Sequence, residues 1–207
     1  MSMEVNMYLS KIMISGAVCR NPYEIHRQLW RFFPEDADAN RDFLFRVEQS
    51  DRNRVEVLMQ SMRKPVNSSN TAQVLACKEY PLSLKTDQRL RFLLIANPVK
   101  MINDEDGRKS FKGEPKKCRI PLVREEEQRA WMERKLMNTA SLENLAIDPV
   151  FPLRFRKGKD ARAGKIQQVR FQGILKVEEP VSMVELIQTG IGPAKAFGCG
   201  LLSLTRA

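Results

Sequence analysis

The residues of this chain best suited to proton transfer lie three positions apart in one predicted helix. His26 is the only histidine among 207 residues, and Tyr23 precedes it by three positions. Side chains three or four residues apart share one side of a helix. Imidazole titrates near neutral pH, so this histidine is suited to move protons under physiological conditions. The spacing predicts two proton-transfer groups side by side. A solvated histidine without a catalytic task is the simpler alternative.

The helix that carries this pair is expected to begin at Pro22, after Asn21 as a candidate N-cap, and to end at Pro34. Apolar residues at helical spacing predict its buried stripe, which consists of Ile25, Leu29, Phe32 and Phe33. His26 lies about 100° around the helix from Ile25 and therefore outside this stripe. Trp30 follows His26 by four residues on the same side.

A glycine-rich segment near the C-terminus is the second candidate site. Residues 190–200 contain four of the ten glycines, and Lys195 lies among them. Glycine at this density indicates positive φ angles or close backbone approach. The segment runs from a predicted helix to a predicted strand, opposite to the order in Walker and Rossmann loops. It predicts either main-chain N–H groups that phosphate can approach or a tight helix-to-strand connection, and both can hold.

Positive charge is concentrated in the second half of the chain. The net charge is +10, with 13 Lys/Arg against 11 Asp/Glu in residues 1–90 and 22 against 14 in residues 91–207. Two segments are especially basic: residues 108–119 have six Lys/Arg and one Glu, and residues 154–170 have seven and one Asp. This distribution favours a polyanionic partner, although each segment alone is also compatible with a solvated loop.

Strand and helix signals alternate along both halves and predict an α+β fold. In the first half, strands at residues 8–14, 43–48, 55–62 and 74–80 surround the Pro22 helix and an irregular or helical piece at residues 66–72. This order is that of a ferredoxin-like unit. The second half is less clear, with predicted strands at residues 90–96, 150–155, 166–177 and 199–204 and predicted helices at residues 121–137 and 181–188.

Short segments in a fixed order resemble the CasE family, the CRISPR repeat-processing endoribonucleases of the type I-E Cascade complex. Besides His26 in its helix, the similar segments are residues 7–11, 29–30, 33–34, 41–48, 96–98, 118–122, 164–167 and 190–204. The resemblance implies two tandem ferredoxin-like (RRM-like) domains with antiparallel sheets. Residues 1–85 would carry the catalytic helix, and residues 86–207 the basic loops and the glycine-rich loop.

The resemblance also implies a reaction and its partners. CRISPR precursor RNA would be cut at the repeat hairpin through attack by its own 2′-hydroxyl, giving a 2′,3′-cyclic phosphate and a 5′-hydroxyl. His26 would be the main acid or base, and Tyr23 would have a positioning or partner role. The mature guide RNA would stay bound, with other Cascade subunits as further partners. The expected RNA-binding residues are Arg27, Lys157, Lys159, Arg162, Lys165, Gly192, Lys195, Gly198 and Gly200.

We expect no metal, cofactor or membrane contact. The four cysteines are scattered without a Cys-x-x-Cys pair and are interpreted as small buried side chains. No apolar run approaches the roughly 20 residues of a membrane span, and the N-terminus lacks a signal pattern, so a cytoplasmic location is expected.

Two other functions compete with an endoribonuclease. A non-catalytic RNA-binding module of RRM type is disfavoured because no strand carries the aromatic RNP1 motif. A ribosomal or other structural protein that uses its basic charge for assembly would leave His26 without a task.

Overall fold

Two four-stranded antiparallel sheets form the framework of the protein. The computed structural model describes residues 6–33, 42–67, 69–103, 107, 109, 111, 113–115, 117–156 and 163–207. The first sheet has the order β2-β3-β1-β4. Its strands are β1 (Tyr8–Ser15), β2 (Phe43–Ser50), β3 (Arg54–Ser61) and β4 (Ala72–Glu79), with helix α1 (Pro22–Trp30) between β1 and β2.

The second half repeats this strand order and adds two hairpins. Its sheet has the order β12-β5-β11-β8. The strands are β5 (Arg89–Ala96), β8 (Ala140–Pro149), β11 (Val169–Val177) and β12 (Leu202–Arg206), and the helices are α2 (Glu125–Leu136) and α3 (Pro180–Thr189). The hairpins pair β6 (Val99–Asn103) with β7 (Lys117–Pro121) and β9 (Leu153–Phe155) with β10 (Gly164–Ile166). The predicted α+β class with two ferredoxin-like antiparallel sheets is confirmed.

Helix α1 begins where the sequence predicts. The Asn21 side chain accepts a hydrogen bond from the Tyr23 amide at 3.2 Å, and Pro22 occupies the first turn, where no intrahelical N–H bond is needed. Ile25 and Leu29 pack on the first sheet and are almost fully buried, each worth about 1.5–3 kcal/mol of hydrophobic stabilisation. The helix ends at Trp30, before the predicted end at Pro34, which lies outside the described residues.

Three apolar clusters form the core, and one of them contains residues of both halves. One lies between α1 and the first sheet, and a larger one surrounds Trp131 and Phe171 under the second sheet. Met7 and Leu82, from the first 85 residues, belong to the larger cluster. The third cluster joins the ends of the second sheet to the glycine-rich segment through Ile95, Cys199 and Phe197, among others. The division into domains 1–85 and 86–207 stays a prediction.

Several predicted elements need correction. Strand β8 was not predicted, because this edge strand is half exposed and mixes polar with apolar residues. The predicted strand at residues 166–177 corresponds to parts of two strands. β11 pairs with β5 and β8, and only the short β10 pairs with β9. Helix α2 begins at residue 125, since residues 117–121 form β7, and β12 begins at residue 202. The described residues of 66–72 contain no helix. None of the described helices is long and apolar enough to cross a membrane.

Candidate active site

His26 lies in a cluster of aromatic rings on the first sheet. Its ring centroid is 5.7 Å from that of Phe43 and 6.3 Å from that of Phe45, both on β2, and 6.2 Å from that of Trp30. The side chain is half-buried. Rings on two sides restrict the orientation of the imidazole, so His26 is not a solvated surface residue. This packing supplies the fixed geometry that proton transfer requires.

Tyr23 faces the other half of the protein. Its ring centroid lies 6.4 Å from that of Phe197, and the Phe197 centroid in turn lies 4.1 Å from that of Phe155 on β9. At the N-cap of the same helix, Asn21 Nδ2 donates a 2.8 Å hydrogen bond to the Arg156 carbonyl. The first turn of α1 is therefore attached to the β9–β10 hairpin and to the glycine-rich segment, both of which belong to the second half.

The glycine-rich segment passes over the ring that also contacts His26. Gly198 has φ +80°, and a Cβ built there would lie 3.3 Å from Cε2 of Phe45. Gly192 has φ +79° and packs so closely on Trp131 that a Cβ would lie 2.9 Å from the indole ring. A side chain at either position would meet both backbone strain and a neighbouring ring. The structure thus bears out the tight helix-to-strand connection.

The rest of the segment is fixed by main-chain hydrogen bonds. The Gly200 amide donates to the Ile95 carbonyl at 2.8 Å, and the Ile191 amide donates to the Gly200 carbonyl at 2.9 Å. Lys195 Nζ donates a 2.5 Å hydrogen bond to the Thr189 carbonyl at the end of α3. Within the glycine-rich segment, Gly198 is the glycine that lies directly over the His26 cluster.

Two basic residues of the β9–β10 hairpin lie near α1. Lys165 of β10 pairs across the hairpin with Arg154 of β9, and both side chains are exposed. Like charges in directly opposite positions of a hairpin are unfavourable unless an anion screens them. Within the described parts of the chain, neither has a carboxylate at ion-pair distance. Arg27, by contrast, is exposed on α1 and forms a 3.1 Å ion pair with Glu24. Lys157, Lys159 and Arg162 lie outside the described residues.

A cavity of about 280 Å³ separates the two halves beside the first turn of α1. Phe45, Phe197 and Gly198 line one part of it, and Arg46 and Glu48 line another. The cavity shows that the halves meet here through a few specific contacts rather than a continuous apolar layer. The relative position of α1 and the glycine-rich segment therefore depends on those contacts.

The cysteines near this region are not suited to nucleophilic chemistry. Burial raises the pKa of the Cys199 thiol to about 11, with a hydrogen bond from Gln168 acting in the opposite direction. Burial also raises the pKa of the Cys19 thiol. Both thiols stay protonated at neutral pH and lack the nucleophilic thiolate. In the described part of the chain, no three His, Cys, Asp or Glu side chains gather where they could hold a metal ion.

Sequence reasoning missed the residues that join the two halves. No sequence pattern distinguishes Phe45 or Phe197 from other apolar residues of a strand or a loop. Arg46 interrupts an apolar strand and is nevertheless buried, with 6% of its surface exposed. A charged residue inside an apolar run was the one available signal for this position.

Comparison with known proteins gives a consistent family. Residues 7–206 match the family described as CRISPR associated protein. The Cascade subunit CasE of the Escherichia coli K12 CRISPR system is 44% identical over 201 residues, covering 96% of this chain and 98% of the relative. The crystal structure of Cas6e from Escherichia coli K-12 superposes with a TM-score of 0.83 at 41% identity, covering 97% of this chain and all of that one. The CRISPR endoribonuclease Cse3 bound to a 19-nucleotide RNA has a TM-score of 0.74 at 30% identity, covering 96% and 99% of the two chains.

The packing of Gly198 on the Phe45 ring can be tested on the histidine signal. We expect Gly198→Ala to shift the imidazole proton resonances of His26 in NMR spectra, because the added methyl must displace Phe45 or the loop. Both this variant and Gly113→Ala should lose about 1–2 kcal/mol of stability from a non-glycine residue at positive φ. Gly113 is the matched control, since its φ is +79° and no described atom lies within 4 Å of its Cβ position. Unchanged His26 resonances in a folded Gly198→Ala variant would contradict this packing.

Proposed function

The chain belongs to the CRISPR-associated protein family, and from its endoribonuclease members we propose that it cuts CRISPR precursor RNA at the repeat hairpin. It then keeps the mature guide RNA as a subunit of a Cascade complex. The support is its similarity to a Cascade subunit and to an RNA-bound endoribonuclease over nearly the whole chain. This function places the protein in the cytoplasm, where precursor RNA is made.

The nucleophile in this reaction belongs to the RNA. The 2′-hydroxyl beside the scissile phosphate attacks phosphorus, the bond to the 5′-oxygen breaks, and a 2′,3′-cyclic phosphate and a 5′-hydroxyl result. The protein has to align these two oxygens, accept one proton, donate another, and place positive charge near the transition state. None of these tasks needs a serine or cysteine nucleophile or a metal ion.

His26 and Tyr23 are the groups that move or orient the protons. They share one side of α1, His26 against the rings of β2 and Tyr23 towards Phe197 of the glycine-rich segment. His26 is the main acid or base, and Tyr23 its partner; which proton each transfers is left open. Arg27 on the same helix, Lys165 on β10 and Lys195 in the glycine-rich segment are proposed as the candidates that supply positive charge near the transition state.

One observation carries the proposal: a helix of the first half and a glycine-rich segment of the second half meet at Phe45 and Phe197, with His26 and Tyr23 beside the contact. Such an arrangement offers proton-transfer groups next to backbone that phosphate can approach. Gly192, which is half-buried, is proposed as that backbone. Gly198 and Gly200 are proposed to shape the segment around the bound RNA, because both are buried and their N–H groups donate to the Lys195 and Ile95 carbonyls. The basic β9–β10 hairpin, together with Lys157, Lys159 and Arg162 from the sequence between its strands, is proposed as the surface for the RNA stem.

The second sheet lacks the exposed aromatic rings that a non-catalytic RNA-binding module of RRM type would need. RRM modules stack bases on exposed aromatic residues of their two central strands. The central strands here are β5 and β11, and their aromatic residues are Phe92, which is 4% exposed, and Phe171, which is fully buried. These rings pack in the core and cannot stack on RNA. This difference favours an enzyme that uses α1 over a module that uses the sheet.

Replacing the proposed proton-transfer groups should separate cleavage from binding. In EDTA, with repeat RNA from the same genome, we expect His26→Ala to slow single-turnover cleavage at least about 100-fold, the usual scale of general acid–base catalysis. Tyr23→Phe should cost less, since it keeps the ring on Phe197 and loses only the hydroxyl. The affinity for RNA should change little in both variants. A His26→Ala variant that cuts at nearly the wild-type rate would contradict the assignment of His26 as the main acid or base.

Salt dependence tests the β9–β10 hairpin as the RNA-binding surface. Arg154→Gln with Lys165→Gln should weaken binding and reduce the slope of log K against log salt by about one unit for each phosphate that the protein no longer neutralises. The matched control is Arg89→Gln with Lys176→Gln, another directly opposed basic pair, whose members instead form ion pairs with Glu143 and Asp87. An equal change of slope in both double variants would argue against a specific role for the hairpin.

A further inference from the structure

Strand β2 has two faces that serve different parts of the protein. Phe43 and Phe45 point to α1 and contact His26. Arg46 lies between the two halves, with 6% of its surface exposed. Burying a guanidinium costs free energy unless its N–H groups find hydrogen-bond acceptors. The acceptors around Arg46 therefore indicate its structural role.

The partners of Arg46 lie in both halves of the chain. Its Nε and Nη2 atoms lie 2.8 Å and 2.6 Å from Glu48 Oε1 on the same strand. Its Nη1 donates to Ser203 Oγ of β12 at 2.8 Å, with the Leu93 carbonyl of β5 at 3.5 Å. Glu48 holds the guanidinium on β2, and Ser203 of the edge strand β12 and Leu93 of the neighbouring strand β5 accept hydrogen bonds from it.

Ser203 connects this interaction to the glycine-rich segment. It lies three residues after Gly200, on β12, the strand that follows the glycine-rich segment. The Gly200 amide is bonded to the Ile95 carbonyl on β5, the strand whose Leu93 carbonyl faces Arg46. The strand that supports His26 and the strand that anchors the glycine-rich segment are thus joined by one side chain.

We propose that Arg46 is a positioning residue that fixes the distance between His26 and the glycine-rich segment, and so sets the rate of cleavage without contributing to RNA affinity. This inference rests on the proposed function. Arg46 does not touch the RNA; it acts by holding Ser203 and Phe45 in one arrangement across the cavity between the halves. Small displacements of catalytic groups have large effects on rate, since a misplacement of about 1 Å can cost about 100-fold.

Arg46→Met is the variant that separates positioning from stability. Methionine keeps much of the apolar stem, but removing one member of a buried ion pair is destabilising when the charge left behind is desolvated. Glu48 keeps access to water, because 39% of its side chain is exposed. We expect single-turnover cleavage at saturating protein to fall by at least about 10-fold, with the Kd for an uncleavable repeat RNA within about twofold of wild type.

Ser203→Ala and the double variant test the route of the effect. Ser203→Ala removes the receiving hydroxyl and should slow cleavage in the same direction, by a smaller factor. Because both changes break the same hydrogen bond, the double variant should be no slower than Arg46→Met alone. The control is Arg89→Met, which breaks the 2.7 Å ion pair between Arg89 and Glu143 within the second half. It should leave the cleavage rate unchanged.

The outcomes are distinguishable. Arg46→Met or Ser203→Ala protein that is folded and cuts within about twofold of the wild-type rate overturns the inference, as does an equal loss in Arg89→Met. Effects of Arg46→Met and Ser203→Ala that multiply in the double variant also overturn it. If Arg46→Met does not fold, Ser203→Ala decides alone. Wild-type protein that leaves repeat RNA intact would instead overturn the proposed function, and the inference with it.

Discussion

The packing of the glycine-rich segment against strand β2 is the interaction on which the proposed site depends. His26 comes from a helix of the first half, and the segment comes from the last part of the second half. They approach each other because Gly198 lets the chain run directly over Phe45, the ring on which His26 also rests. A larger residue at this position would separate the two. The need for glycine here follows from geometry alone, before any interaction with RNA.

Polar contacts complement this packing where the halves do not fill the space between them. Arg46 joins β2 to β12, Gln60 Nε2 donates to the Ile187 carbonyl at 3.0 Å, and Asn21 attaches the first turn of α1 to the β9–β10 hairpin. Arg46 and Gln60 are buried, so breaking either of their hydrogen bonds leaves a desolvated partner. Such bonds favour a single arrangement of the halves more than they add stability. A site assembled from two sheets requires that kind of specificity.

The sequence predicts what depends on neighbouring residues and misses what depends on distant ones. The cap and start of α1, the strands β2 and β3 and the apolar stripe of the helix follow from local patterns, and the structure confirms them. Strand β8 has no such pattern, because an edge strand with one exposed side mixes polar and apolar residues. The contacts of Tyr23 with Phe197 and of Arg46 with Ser203 join residues from opposite ends of the chain, and no local period reports them. His26 and the glycine-rich segment stand out because their residue types are rare, but no local pattern reports that both pack on Phe45.

The most direct test of the proposed reaction is to remove the nucleophile from the RNA. Wild-type protein would be incubated in EDTA with repeat RNA that carries a single 2′-deoxy nucleotide at the scissile position, beside the unmodified RNA. We expect the unmodified RNA to be cut once to give a 2′,3′-cyclic phosphate, and the substituted RNA to bind with the same affinity and stay intact. Cleavage of the substituted RNA would identify water as the nucleophile and contradict the roles assigned to His26 and Tyr23.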